Sequence, residues 1–158
     1  MRCPNVPGAA KLSAVQRIVV GVEDSGGARA ALAWAVEEGR VRGARVEALL
    51  AWSYLAQPSI EEDEGFDPGF DERRAEALLA RVVDDVVGAS PTVDVERRVV
   101  CDLPAHALVE ASEDADLLVV GRRGRGGFRG LLLGSVSQQC AHHARCPVVL
   151  VPHENTAR

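Results

Sequence analysis

The sequence predicts one doubly wound α/β domain, because short β-branched runs alternate with segments of helical periodicity along the chain. Apolar runs at residues 18–22, 46–52, 93–100, 117–120 and 148–151 predict five strands. Such alternation requires right-handed crossovers, and it favours a mainly parallel sheet with helices on both faces. Ligands of such sheets bind beyond the carboxyl ends of the strands, where a glycine-rich stretch follows the fourth strand here.

Four helices are predicted between these strands. The first two carry apolar stripes at helical spacing, namely Ala28, Ala31, Leu32, Ala35 and Val36, then Ala75, Leu78, Leu79, Val82, Val83 and Val86. Gly43 lies just past the first, and Gly88 with Pro91 ends the second. Asp102 is the expected cap of the third helix, and Pro104 suits its first turn. The fourth is expected from about residue 135 to 144.

Two strands are expected at the sheet edges. Val93 and Val95 alternate with Asp94 and Glu96, a pattern typical of a half-exposed strand. The last strand, residues 148–151, is short and lies between Pro147 and Pro152. We expect it to pair with its counterpart in a second subunit and so to form a homodimer.

Composition limits the class of protein. The chain has 158 residues, of which 47% are hydrophobic and 26% charged, with a net charge of −5. We expect a domain over residues 15–152, a disordered tail over 1–14 and a C-terminal tail over 153–158. The acidic balance argues against a nucleic-acid partner, and the lack of a long apolar run argues against a membrane partner or a leader. A cytoplasmic protein with reduced, mostly buried thiols is therefore expected, the thiols being Cys3, Cys101, Cys140 and Cys146.

The stretch from Gly121 to Gly134 is suited to anions. Its glycines let main-chain N–H groups approach phosphate oxygens, and the following helix offers its positive end. Arginines add local positive charge at positions 122, 123, 125 and 129. The alternative is a solvated loop in which glycines make turns and arginines only aid solubility. The position of the stretch between a strand and a helix favours the phosphate site.

Other chemistries fit poorly. The stretch lacks the Gly-Lys-Ser/Thr ending of a Walker A loop, and Arg129 stands at the third glycine of a dinucleotide motif begun at Gly124. His142 and His143 are adjacent, so on a helix they cannot chelate one ion as an i, i+4 pair would. Ser135 and Ser137 lack the elbow motif of a hydrolase nucleophile, and a capping or phosphate-binding hydroxyl explains Ser135 better. We expect no metal site in the protein itself and no catalytic residue.

The pattern Gly121-x2-Gly124-x9-Gly134-Ser135, continued by Val136-Ser137 and later by Cys146-Pro147-Val148, resembles the signature of ATP-binding universal stress proteins. The likeness extends over residues 17–151. It implies a five-stranded parallel sheet of order 3-2-1-4-5, a homodimer, and ATP between the first and fourth strand ends. We expect Mg²⁺ to accompany ATP as its counter-ion.

The resemblance assigns Gly121, Gly124, Gly134 and Ser135 to the phosphates and ribose, and Ala51 to the adenine. Its full set of nucleotide-binding residues is Gly21, Val22, Glu23, Ala51, Val120, Gly121, Arg123, Gly124, Arg125, Gly134, Ser135, Val136 and Ser137.

The first strand–helix turn departs from the family, which has Val-Asp-Gly-Ser where this chain has Val22-Glu23-Asp24-Ser25. Glu23 carries its carboxylate on a longer stem, and Asp24 adds a negative charge where glycine is expected. Weaker ATP binding in the absence of metal is the expectation, because a bound cation would offset the charge.

Three hypotheses for function follow. In the first, ATP binds and biases a dimer or partner surface, so that the protein regulates a stress response. In the second, the chain is an enzyme, either a weak ATPase or an adenylating enzyme. Its support is that Ser25-Gly26-Gly27 resembles part of the ATP pyrophosphatase loop. The Asp and Ser of that loop are replaced here by Arg29 and Ala30. In the third, the protein works through protein contacts without nucleotide, which Glu23 and Asp24 favour.

Overall fold

Five strands and four helices alternate in the computed structural model, which describes residues 16–53, 68–88, 93–124 and 132–153. In chain order they are β1 (Arg17–Gly21), α1 (Gly26–Arg42), β2 (Arg45–Trp52), α2 (Pro68–Val87), β3 (Val95–Cys101), α3 (Pro104–Ala111), β4 (Leu117–Gly121), α4 (Ser135–His143) and β5 (Val148–Val151). Every predicted strand and helix is present. Predictions for the two tails, the acidic loop from Glu61 to Asp67, Pro91, Arg125 and Arg129 lie outside the described residues.

The strands form one parallel sheet in the order β3-β2-β1-β4-β5. This confirms the predicted fold class and sheet order. β3 and β5 are the two edge strands, as the alternation in the first and the flanking prolines of the second predicted. The homodimer through β5 stays a prediction.

Helices cover both faces of the sheet, because successive strand residues point to opposite sides. One core packs α1 and α2 against strand residues such as Ile18, Val20 and Val119. The other packs α3 and α4 against residues such as Val19 and Leu118. The central strands β1 and β4 are therefore buried on both sides, which explains why they lack polar alternation.

The helix ends follow simple capping rules with two exceptions. Ser25 caps α1 by accepting a hydrogen bond from the Ala28 N–H at 3.1 Å, and Gly43 ends that helix in the left-handed conformation, with φ 65°. Asp102 does not cap α3: the N-cap is Leu103, and Asp102 accepts from the Leu103 N–H instead. Ser135 is not the cap of α4 either, since that position is held by Gly134.

One carboxylate is buried inside the sheet near the amino end of β2. Glu47 is 5% exposed, and its Oε2 accepts a hydrogen bond from Nη2 of Arg17 at 2.6 Å. Arg98 approaches Oε1 at 3.3 Å from β3. A buried carboxylate needs such partners, because burial of an unpaired charge is costly.

Among the described residues, no helix has the length and apolar character needed to cross a membrane.

Candidate functional site

A cavity of about 390 Å³ opens at the carboxyl ends of β1, β2 and β4. This is within the usual size range of small-molecule sites, and the location is the one at which doubly wound sheets bind ligands. The lining residues are Gly21, Val22, Glu23, Ala28, Leu49, Ala51, Pro104, Leu108, Val120, Gly121, Arg123, Gly124, Gly134, Ser135, Val136 and Ser137.

Residues proposed from the sequence are brought together here from separate segments of the chain. All of the predicted nucleotide-binding residues line this one cavity except Arg125, which lies outside the described residues. Their contact with a nucleotide stays a prediction.

Four lining residues were not predicted: Ala28, Leu49, Pro104 and Leu108. Signals for two of them were present in the sequence. Leu49 lies two residues before Ala51 in the same strand and so shares its face of the sheet. Leu108 lies one helical turn beyond Pro104 and so shares its face of α3. Leu49, Pro104 and Leu108 add apolar side chains to the lining.

The glycine-rich end of the cavity depends on close contacts between main-chain segments. A Cβ atom on Gly121 would lie 2.8 Å from both C and O of Gly27, and one on Gly27 would lie 2.5 Å from the carbonyl oxygen of Arg123. Only glycine permits α1 to approach the turn after β4 this closely. The glycines therefore set the shape of this end of the cavity.

The first turn of α4 faces this glycine-rich end. Its N-cap, Gly134, contributes no side-chain hydrogen bond, and the first helical bond runs from the Gln138 N–H to the Gly134 carbonyl at 2.9 Å. Main-chain N–H groups of such a first turn are donors for an anion, and the helix dipole adds positive potential. Ser135 and Val136 supply two of the residues that line the cavity at this turn.

Ser137 has a structural task at the same turn. Its buried hydroxyl lies 2.8 Å from the Gly121 carbonyl oxygen and 2.9 Å from that of Arg122, and it donates its proton to them. This contact ties the start of α4 to the end of β4. Ser137 thus holds the first turn of α4 in place against the end of β4.

The two acids of the β1–α1 turn have different surroundings. Glu23 lines the cavity, whereas Asp24 does not. The Asp24 carboxylate accepts hydrogen bonds from Arg29 at 3.3 Å and Arg81 at 3.0 Å. Arginines of α1 and α2 therefore balance the negative charge of Asp24. This pairing was not predicted from the sequence.

A second group of polar residues lies on the exposed side of α3, away from Pro104 and Leu108. Asp102, His106 and Glu110 bring possible ligand atoms within 4.8 Å of one another, so they are residues that could hold a metal ion. This group was not predicted from the sequence, in which His142 and His143 were the candidates for a metal site. The i, i+4, i+8 spacing along α3 was the available signal.

His106 is expected to titrate above its ordinary value of 6.5, because Asp102 Oδ2 lies 2.5 Å from its Nδ1 and the hydrogen bond raises its pKa. Charge–charge attraction to Asp102 and then Glu110 adds to this. The pair therefore stabilises the fold below the unfolded-state pKa, and this contribution is lost as the pH rises through the folded-state pKa. NMR titration should show a lower His106 pKa in Asp102→Asn and a smaller decrease in Glu110→Gln. An unchanged pKa in Asp102→Asn would exclude the pair.

The cysteines differ in exposure. Cys140 is buried, and burial raises the pKa of its thiol to about 11, so the thiol is protonated and unreactive at neutral pH. Cys146 is half-buried, and burial also raises its pKa. Cys101 is exposed at the end of β3, contrary to the expectation of mostly buried thiols. All three are free thiols.

The sheet order and the glycine-lined cavity at its carboxyl edge define a doubly wound α/β protein with a cavity at its topological switch point. Residues 14–152 match the model of the universal stress protein family. The chain belongs to that family.

Known relatives agree with this assignment. Universal stress protein Rv2005c of Mycobacterium tuberculosis is 41% identical over 133 residues, which cover 84% of this chain and 44% of the relative. The chain thus spans less than half the length of that relative. Among solved structures, hypothetical protein MJ0577 superimposes with a TM-score of 0.75 at 21% identity, over 90% of this chain and 99% of that one. A universal stress protein in complex with cAMP gives a TM-score of 0.60 at 28% identity, over 90% and 100%.

Proposed function

We propose that the chain binds ATP, with Mg²⁺ as counter-ion, in the cavity at the carboxyl ends of the strands, and acts as a nucleotide-dependent regulatory protein of the stress response. One observation carries the proposal. The residues that the sequence signature assigns to a nucleotide, wherever the structure describes them, line a single cavity of about 390 Å³. The cAMP complex of a 28% identical family member supports a nucleotide as the class of ligand.

The two ends of the cavity suit the two ends of a nucleotide. Leu49, Ala51, Pro104 and Leu108 offer an apolar wall for a purine ring. The glycine-rich turn and the amino end of α4 offer main-chain donors for phosphates. Arg123 adds a cationic residue to this lining. We assign the base to the first end and the phosphates to the second.

A divalent cation fits the same end. Glu23 is a carboxylate in the lining, and carboxylate oxygens together with nucleotide phosphates are ligands that Mg²⁺ prefers. The cation would neutralise charge on the phosphates, while the protein contributes Glu23 and the main-chain donors.

We also propose a homodimer through β5. This strand is at the sheet edge, and Val148, Val149 and Leu150 are only partly buried in one chain. An apolar edge strand of this kind is a natural place for a second copy to pair. Sedimentation equilibrium at micromolar concentration tests this assembly.

Gly134→Ala is the variant that best tests the nucleotide site. A methyl group there would lie 3.4 Å from Cα of Arg123, an ordinary contact, and φ of −74° suits alanine. The fold should therefore be retained while the methyl group enters the phosphate end. We expect affinity for ATP with Mg²⁺, measured by calorimetry, to fall roughly tenfold, which corresponds to about 1.4 kcal/mol.

Gln139→Ala is the matched control, because Gln139 is exposed on the same helix and does not line the cavity. It should bind ATP as the wild type does. Equal affinities of the two folded variants would contradict the site. Absence of binding heat with ATP, ADP and AMP in the wild-type protein would contradict nucleotide binding altogether and favour action through protein contacts.

A further inference from the structure

The Glu23 carboxylate lies inside the end of the cavity that we assign to the phosphates. A Cβ atom built on Gly124 would overlap Glu23 Oε1, and its next closest neighbours would be Cδ at 3.2 Å and Oε2 at 3.4 Å. The carboxylate therefore stands directly against the main chain of the glycine-rich turn. Both Glu23 and Gly124 line the cavity.

Ser25 holds the carboxylate in this position. Its hydroxyl oxygen accepts the Ala28 N–H as the cap of α1, and its proton is donated to Glu23 Oε1 at 2.9 Å. Because α1 fixes Ser25, the orientation of Glu23 is coupled to the start of that helix.

Of the two acids in the turn between β1 and α1, Glu23 is the one that a ligand in the cavity would contact. The neighbouring acid, Asp24, is absent from the lining and is paired with Arg29 and Arg81. Arg123 contributes one positive residue to the lining. A phosphate chain that extends along the turn gains negative charge with each added phosphate, and like charges repel more strongly where water is excluded.

We infer that Glu23 makes the cavity discriminate nucleotides by the charge of their phosphate chain: without a divalent cation it disfavours ATP relative to AMP, and a divalent cation removes the difference. This inference rests on the proposed function. It assigns to Glu23 the discrimination among AMP, ADP and ATP. The physical reason is repulsion between the Glu23 carboxylate and the outer phosphates, which a cation bound by both would replace with attraction.

The experiment compares the affinities of AMP, ADP and ATP in EDTA and in Mg²⁺ by calorimetry. For the wild-type protein in EDTA, we expect ATP to bind roughly tenfold more weakly than AMP, a difference of about 1.4 kcal/mol, with ADP between them. In Mg²⁺, this difference in affinity between ATP and AMP should disappear. In Glu23→Gln, which keeps the shape and removes the charge, ATP in EDTA should gain roughly tenfold and lose most of its dependence on Mg²⁺.

Asp24→Asn is the matched control, since it removes the same charge from the adjacent residue, outside the cavity. Its ratio of ATP to AMP affinity should equal that of the wild type in both buffers. Thermal melting establishes that each variant is folded. If AMP binds and Glu23→Gln leaves the ATP-to-AMP ratio in EDTA unchanged, the inference is overturned while the proposed nucleotide site stands. If no adenine nucleotide binds under any condition, the proposed function itself fails.

Discussion

Replacing Glu47 by alanine is expected to lower the free energy of unfolding by about 3 kcal/mol, because the change leaves a largely buried arginine without its carboxylate. The Arg17 side chain is only 14% exposed, and its guanidinium donates to Glu47 through both Nε and Nη2. Removal of one partner of a buried ion pair costs far more than the intact pair contributes. Urea denaturation monitored by circular dichroism measures the effect.

Arg98→Ala serves as the control for this prediction. Arg98 also approaches Glu47, but its side chain is 48% exposed and its contact is longer, at 3.3 Å. Its loss should cost less than about 1 kcal/mol. A Glu47→Ala protein as stable as Arg98→Ala would refute the assignment of Arg17 and Glu47 as a buried, mutually dependent pair.

Gly121→Ala is expected to lower the free energy of unfolding by about 2 kcal/mol and to weaken ligand binding as well. The added Cβ would meet C and O of Gly27 at 2.8 Å, and main-chain atoms cannot move aside as a flexible side chain can. Relief requires α1 to shift away from β4. Because Gly121 lines the cavity and Gly27 packs directly against it, the same shift deforms the proposed phosphate site.

Gly134→Ala provides the comparison within the same cavity. Its Cβ would meet neighbouring atoms at no less than 3.4 Å, so its melting temperature should equal that of the wild type. Melting curves and calorimetric affinities of the two variants separate a loss of packing from a loss of ligand space. Equal stability of Gly121→Ala and Gly134→Ala would show that the contact between α1 and β4 is less tight than the geometry requires.

The order of the strands and helices could be predicted because the apolar runs were short and alternated with segments of helical periodicity. Residues 148–151, between two prolines, illustrate this: length and flanking residues sufficed to place β5 at an edge. The order of the strands within the sheet was predicted from the resemblance to the family, because periodicity alone does not show which strands are neighbours. The lining of the cavity followed from the same signature and from the rule on carboxyl ends.

Contacts between residues distant in the sequence could not be predicted. Glu47 stands in an apolar run, and only the fold shows that Arg17 and Arg98 reach it. Asp24 was expected to add a negative charge to the nucleotide site, but its carboxylate pairs with Arg81, 57 residues later in the chain. Asp102 was expected to cap α3, yet its carboxylate is shared between the Leu103 N–H and His106. For Glu47 and Asp24 the partner becomes visible only when the chain is folded, whereas the i, i+4 spacing of Asp102 and His106 was present in the sequence.

The glycine-rich end of the cavity has a consequence for how this protein can change its ligand. Every residue except proline supplies the same main-chain N–H donor, so substitution there can obstruct a ligand but cannot create a new preference. Leu49 and Leu108, by contrast, present side chains whose size can be varied. Divergence of ligand choice, in nature or by engineering, should therefore be concentrated in the wall made by β2 and α3, while the glycine positions tolerate little change.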